Sequence, residues 1–211
     1  MVLRFLHTVA LGAVLFAPTL AVAEPQQAPE DPAAPGWVAP PSDLPPPERG
    51  GRSYNLDTLF AALKIAPDAE SAKAIENRIW ALWMASGGDT CNLLMGRVKS
   101  ATDAKDYALA IKLLDAVIEI KPDYVEAWNR RATVYYLTSD YGHSLADIRQ
   151  VLIREPRHFG ALSGLGLILQ DIGDDKHALD AYRKALAIDP HLESLPDVIK
   201  TLSEKVEGRD I

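Results

Sequence analysis

The sequence predicts an all-α solenoid of helical hairpins, a right-handed arc of four helix pairs and a capping helix over about residues 54–208. Three observations carry this. Pro122, Pro156 and Pro190 stand 34 residues apart, twice over. The same step links the small residues Ala110, Ser144 and Ala178, and also Leu114/Ile148/Tyr182, Val117/Val151/Ala185 and Val98/Ala132/Gly166. Between these landmarks apolar residues recur at helical spacing. Several columns agreeing at one period mark an internal repeat, in which each unit buries its apolar face against the next.

Residues 1–23 precede any such pattern. Arg4 is followed by an apolar run from about Thr8 to Val22, ending in Ala21-Val22-Ala23 before Glu24. Small residues at the third and first places before a cut fit a Sec-type signal peptide cleaved after Ala23. Pro18 and the absence of a basic stop-transfer cluster disfavour a membrane span, so no stable span is expected after cleavage. Residues 24–53 read as a disordered Pro-rich linker. Nine of the 28 residues from Glu24 to Gly51 are proline, which removes donors and fixes φ, so neither helix nor sheet propagates. A spacer is preferred over a proline-recognition ligand anchored by Trp37.

Residues 54–90 form a degenerate N-terminal hairpin, with helices over 56–65 and 68–86 separated at Ala66-Pro67. Asp68 is the expected N-cap, and Ile75, Ile79, Leu82 and Trp83 make an apolar stripe. This hairpin is expected to cap the stack. Three repeats follow, 91–124, 125–158 and 159–192, with helices over 89–101 and 104–120, 124–137 and 141–154, 158–171 and 175–188. Proline at each repeat end cannot continue a helix and restricts the residue before it. Asp140 and Asp174 precede second helices, where a carboxylate complements the N-terminal dipole. Residues 193–208 supply a short, charged C-terminal capping helix.

Period and chemistry together resemble the tetratricopeptide repeat (TPR), a 34-residue helix–turn–helix unit with the pattern W-x2-L-G-x2-Y, a small Ala, an aromatic and a closing Pro. Trp128, Ala132, Tyr135 and Pro156 match it in the middle repeat. Leu162, Leu165, Gly166, Ala178, Tyr182, Ala185 and Pro190 match it closely in the third. The first keeps Leu94, Ala110, Leu114 and Pro122 but has Arg97, Val98 and Ala101 where Leu, Gly/Ala and Tyr are usual. The resemblance implies that first helices line a concave groove for a protein or peptide segment. By register that groove holds Asn92, Met95 and Lys99; Glu126, Asn129, Thr133 and Tyr136 with Arg130 on the flank; and Ser163, Leu167 and Gln170 beside Gly160. A Lys/Asn/Arg clamp for acidic tails is incomplete, because the third repeat offers no groove cation. The whole chain resembles exported, periplasmic TPR proteins of Gram-negative bacteria.

Composition narrows the function further. A net charge of −7 lacks the basic footprint of a nucleic-acid binder. A single cysteine excludes a disulfide framework, a CxxC pair and a thiolate zinc site. His143 and His177 occupy equivalent sites in adjacent repeats, too far apart for one metal, and the Trp80/Trp83 pair is expected to serve packing. No catalytic, metal or cofactor site is therefore expected. The expected function is a non-enzymatic protein–protein interaction scaffold in the periplasm, serving cell-envelope assembly or integrity. A dedicated chaperone for one client, an apo-cytochrome, outer-membrane or secretion protein, is the alternative. An envelope hydrolase is more remote, since it needs a second domain or a metal cluster.

Overall fold

The computed structural model describes Val38, Pro41, residues 55–85 and residues 88–208; the expected signal peptide and most of the Pro-rich linker lie outside the described residues. The described residues form helices and no strand. In chain order they are α1 (Leu56–Lys64), α2 (Ala69–Ala85), α3 (Gly88–Asp103), α4 (Tyr107–Ile120), α5 (Val125–Leu137), α6 (Tyr141–Arg154), α7 (Phe159–Asp171), α8 (Asp175–Ile188) and α9 (Leu195–Val206). Helices α3–α4, α5–α6 and α7–α8 are the paired units; α4 packs on α5, α6 on α7 and α8 on α9. The all-α solenoid read from the repeat is what forms.

Local chemistry repeats with the same period. Asp106, Asp140 and Asp174 cap the second helices, each accepting a hydrogen bond from the backbone N–H three residues on. One residue earlier the chain turns left-handed at Lys105 (φ 57°), Ser139 (φ 57°) and Gly173 (φ 83°). Only the third turn uses the residue that adopts this conformation without cost. The small-residue column has an equally direct cause. A Cβ on Gly166 would stand 2.6 Å from a ring carbon of Tyr182, so glycine lets α7 and α8 close on the fully buried Tyr182. In the middle pair the Ser144 hydroxyl donates to the Ala132 carbonyl at 2.8 Å, holding α5 and α6 together.

Two apolar clusters result. Cys91, Met95, Val98, Ala110, Leu114, Val117 and Tyr124 centre the first, inside the first repeat and its joint with the second. The other joins the second and third repeats and α9 to Leu59, Phe60, Leu63, Ile79, Trp80 and Trp83 of the N-terminal hairpin.

That hairpin does not cap the end of the stack as expected. It lies across the inner face, α2 against both α3 and α5, and α1 against α8. At one end the Tyr124 hydroxyl donates to the Met84 carbonyl at 2.8 Å; at the other the His191 ring meets the Ala66 carbonyl at 3.2 Å. Burial explains the placement. Phe60, Trp80 and Trp83 carry too much apolar surface for an end cap, which is covered on one side only. On the inner face they are enclosed, while Asn92 and Leu93 at the start of α3 stay exposed.

Candidate functional site

The inner face is defined by four register positions on the first helix of each repeat: 92/126/160, 95/129/163, 99/133/167 and 102/136/170. In the first repeat Asn92 and Lys99 are exposed and Thr102 is half-buried; only Met95 is buried, in that repeat's own cluster. Lys99 is held to Asp103 at 2.7 Å. In the second repeat Glu126, Asn129 and Tyr136 are buried, with Thr133 half-buried and Arg130 21% exposed. In the third, Gly160, Ser163 and Leu167 are buried and Gln170 is exposed. The face is therefore mostly open in the first repeat and mostly closed in the second and third, where α2 lies over it.

Phe159 and His158 receive that cover. Trp83 stacks on the His158 ring, centroids 4.1 Å apart and planes 11° from parallel, and Trp80 meets both His158 and Phe159 edge-on at 5.4 Å. Gly160 makes the slot. A Cβ there would lie 2.9 Å from the tip of the Trp80 ring and 2.9 Å from the Val38 carbonyl oxygen. Val38, from the Pro-rich segment, thus sits at the same spot as Trp80. The Trp pair serves packing, as expected, but packing of the hairpin onto the inner face.

Beneath the Trp rings lies a charged cluster that sequence reasoning missed. His158 Nδ1 accepts the α7 cap hydrogen bond from the Ala161 N–H at 3.0 Å. The proton must therefore sit on Nε2, which donates to Glu126 Oε1 at 2.9 Å. Both side chains are fully buried. A carboxylate there needs every donor in reach. Asn129 Nδ2 supplies one at 3.2 Å, and the Arg130 guanidinium stands 3.7 Å away, its other end 3.3 Å from Met84 Sδ. His158 and Glu126 are 32 residues apart, so nothing in the linear sequence joins them; only the 34-residue stacking does.

A second buried acidic site fastens the far end of the hairpin. Glu76 on α2 and Asp189 at the α8–α9 joint are both buried and close enough for the charge of one to act on the other. Asp189 Oδ2 is buried without a hydrogen-bond partner, a costly position for a carboxylate oxygen. Burial is the main cause that pushes the Asp189 carboxyl up to about 6, and the Glu76 charge adds to it. Lys73 Nζ lies 3.0 Å from Glu76 Oε2, and the His191 backbone N–H donates to Asp189 Oδ1 at 3.0 Å. On the rim, Arg157 pairs with Asp57 at 2.7 Å and covers the Phe60 ring at 4.3 Å.

The remaining candidates are plain. His143 and His177 are exposed, each 2.7–2.8 Å from its capping Asp140 or Asp174. Their partners draw the Asp174 carboxyl below its ordinary value, chiefly by the His177 hydrogen bond. Cys91 is buried in α3. Among the described residues no three His, Cys, Asp or Glu side chains come together as metal ligands. No described helix is long and apolar enough to cross a membrane.

Comparison with known proteins agrees with this geometry. The family model described as tetratricopeptide repeat matches residues 159–192. A TPR repeat-containing protein of Rhizobium etli is 42% identical over 153 residues, 72% of this chain and 75% of that protein. A small glutamine-rich tetratricopeptide repeat-containing protein of Mycosarcoma maydis is 28% identical over 108 residues, 51% of this chain but 31% of its own length. Among solved structures, the first TPR of Spaghetti (RPAP3) bound to the HSP90 peptide SRMEEVD superposes with TM-score 0.53 at 14% identity, covering 56% of this chain and 93% of that one. The Sgt2 TPR domain from Aspergillus fumigatus gives TM-score 0.53 at 24% identity, covering 57% and 81%. With the period, the small-residue packing and the Rhizobium relative in agreement, the chain belongs to the tetratricopeptide-repeat family.

Proposed function

We propose that this chain is an exported, non-enzymatic adaptor of the bacterial periplasm, serving cell-envelope assembly or integrity by binding a segment of another protein on the inner face of its repeats. The observation that carries the reading is the inner face itself. The first helices present a graded row of side chains, open at Asn92 and Lys99 and aromatic-lined under α2, which is the anatomy of a segment-binding surface. Proteins of this family act through protein–protein interaction, and one fold neighbour holds a peptide. The apolar run ending in Ala21-Val22-Ala23 supports export. Among the sequence-selected positions, Asn92, Lys99, Thr133 and Gln170 are open or partly open, so first contact with a partner falls on them.

The test is photo-crosslinking in intact cells from position 99, with position 149 on an exposed face of α6 as control. Capture of one envelope protein from position 99 alone, by a chain whose N-terminus is Glu24, is the expected result. Equal capture from both positions, or a chain retaining Met1 in the cytoplasm, overturns the reading. The second reading, a client-specific chaperone, draws on one relative, a heat-shock cognate co-chaperone of Aspergillus fumigatus that is 25% identical over 165 residues and of which this chain spans 48%. Protection of a captured client from aggregation by the purified chain separates the two.

A further inference from the structure

The N-terminal hairpin occupies the surface on which a partner is proposed to bind, and the character of that contact is informative. Of the nine buried polar and charged side chains among the described residues, six, Glu76, Glu126, Asn129, His158, Ser163 and Asp189, lie at or beside the junction of the hairpin with the repeats. Contacts between separately packed units of one chain are more polar than a single core, where each buried polar group must find a hydrogen bond. The pattern around them is also that of an interface. Two aromatic anchors, Trp80 and Trp83, fill the centre, and a polar rim surrounds them: Arg157–Asp57, His191–Ala66 and Tyr124–Met84. The repeats meanwhile close on themselves through contacts that do not involve the hairpin, such as Gly166 on Tyr182 and Ser144 on Ala132.

We propose that α2, backed by α1, is a built-in and displaceable ligand of the inner face, and that the partner segment which replaces it is an amphipathic helix carrying two large aromatic side chains one turn apart. The proposal rests on the reading that a protein segment binds these repeats. It commits to a helix because the present occupant is one. Trp80 and Trp83, three residues apart, share the face that Ile79 adjoins, and all three are buried against the second and third repeats. An extended acidic tail finds little to hold it: on the receiving surface Glu126 already takes the His158 Nε2–H and faces the Arg130 guanidinium. Val38 adds a second restraint, its carbonyl closing the slot between Gly160 and Trp80, so Val38 must leave that slot when a partner enters. A tethered occupant holds its site at a high effective concentration, so a free competitor binds the intact chain weakly and a chain with a weakened occupant strongly.

Hydrogen exchange on the intact chain tests the first half. Amides of α2 are expected to exchange at least about tenfold faster than those of α7 and α8, through opening of the hairpin alone. Matching rates across α2, α7 and α8 mean that the hairpin leaves only on global unfolding, which overturns the proposal whether or not a substituted chain folds. The second half uses a fluorescent synthetic peptide with the sequence of residues 69–85. The Trp83→Ala chain is expected to bind it at least about tenfold tighter than the unsubstituted chain, and neither is expected to bind the same peptide lacking both tryptophans. A folded Trp83→Ala chain that ignores the peptide overturns the helix-receptor assignment. Neither readout involves a cellular partner, so failure here is distinguishable from failure of the crosslinking that tests the adaptor reading.

Discussion

The inner faces of the first and third repeats occupy the same register and have opposite fates. Position 92 is an exposed Asn; its counterpart 160 is a glycine with a tryptophan and a backbone carbonyl pressed against it. Position 99 is an exposed Lys in a surface ion pair, while 167 is a buried leucine. The difference lies in what covers them. The repeat closest to the family pattern has surrendered its inner face to the N-terminal hairpin, and the most divergent one keeps its face in solvent. Fidelity to the family motif secures packing between paired helices, and it says little about which surface remains free.

The comparison breaks most sharply at the tryptophans. Trp80→Ala empties a fully enclosed site and is expected to cost about 3–5 kcal/mol in chemical denaturation, whereas Lys99→Ala stays within about 0.5 kcal/mol. Equal effects would mean that the hairpin is not seated where the structure puts it. Glycines sharpen the contrast next. Gly166→Ala forces a Cβ into the immobile Tyr182 ring and is expected to lose about 1–3 kcal/mol, while Gly96→Ala, with open space at its Cβ, gains up to about 1 kcal/mol of helix propensity.

The acidic pair adds a pH dependence to the closed half only. Asp189 holds its proton more tightly folded than unfolded, 3.8 being its ordinary value and about 6 its raised one. The stabilisation is therefore present below about pH 4 and is lost as pH rises through about 6, a change on the order of 2 kcal/mol. Denaturation midpoints measured from pH 4 to 7.5 should fall in the native chain and flatten in Asp189→Asn. The smallest effect belongs to the open half, where Lys105→Gly relieves a left-handed residue and is expected to raise stability by a few tenths to about 1 kcal/mol in thermal melts.

Much of this is legible in the sequence. Period, helix ends and small-residue columns are local, set by proline, capping carboxylates and the 3.6-residue spacing, and α6 and α8 begin and end where the sequence places them. The apolar stripe of α2 was legible in part: Ile79 and Trp83 are buried as read, but Leu82 is exposed and Trp80, outside the stripe, is enclosed. Its destination was not, because the stripe states how much surface needs burial and not against what. His158 and Glu126 illustrate the same gap: the sequence marks Glu126 as a groove residue and gives no sign of a partner for it at position 158, and only stacking brings the two within 2.9 Å. One signal was available. Gly160 departs from the repeat pattern at a groove position, and an unexplained glycine on a helix face marks a close approach. Here the approaching groups are Trp80 and Val38.

The placement of the hairpin underlies every one of these readings, and one measurement addresses it directly. Nuclear Overhauser contacts between the Trp83 indole and the His158 imidazole, whose centroids are 4.1 Å apart, should be strong in the full chain near neutral pH. A hairpin stacked on the free end of α3 would leave these rings far apart. The cross-peaks are expected; their absence in a folded chain, with Trp83 contacts to α3 in their place, would put the hairpin at the end of the stack instead.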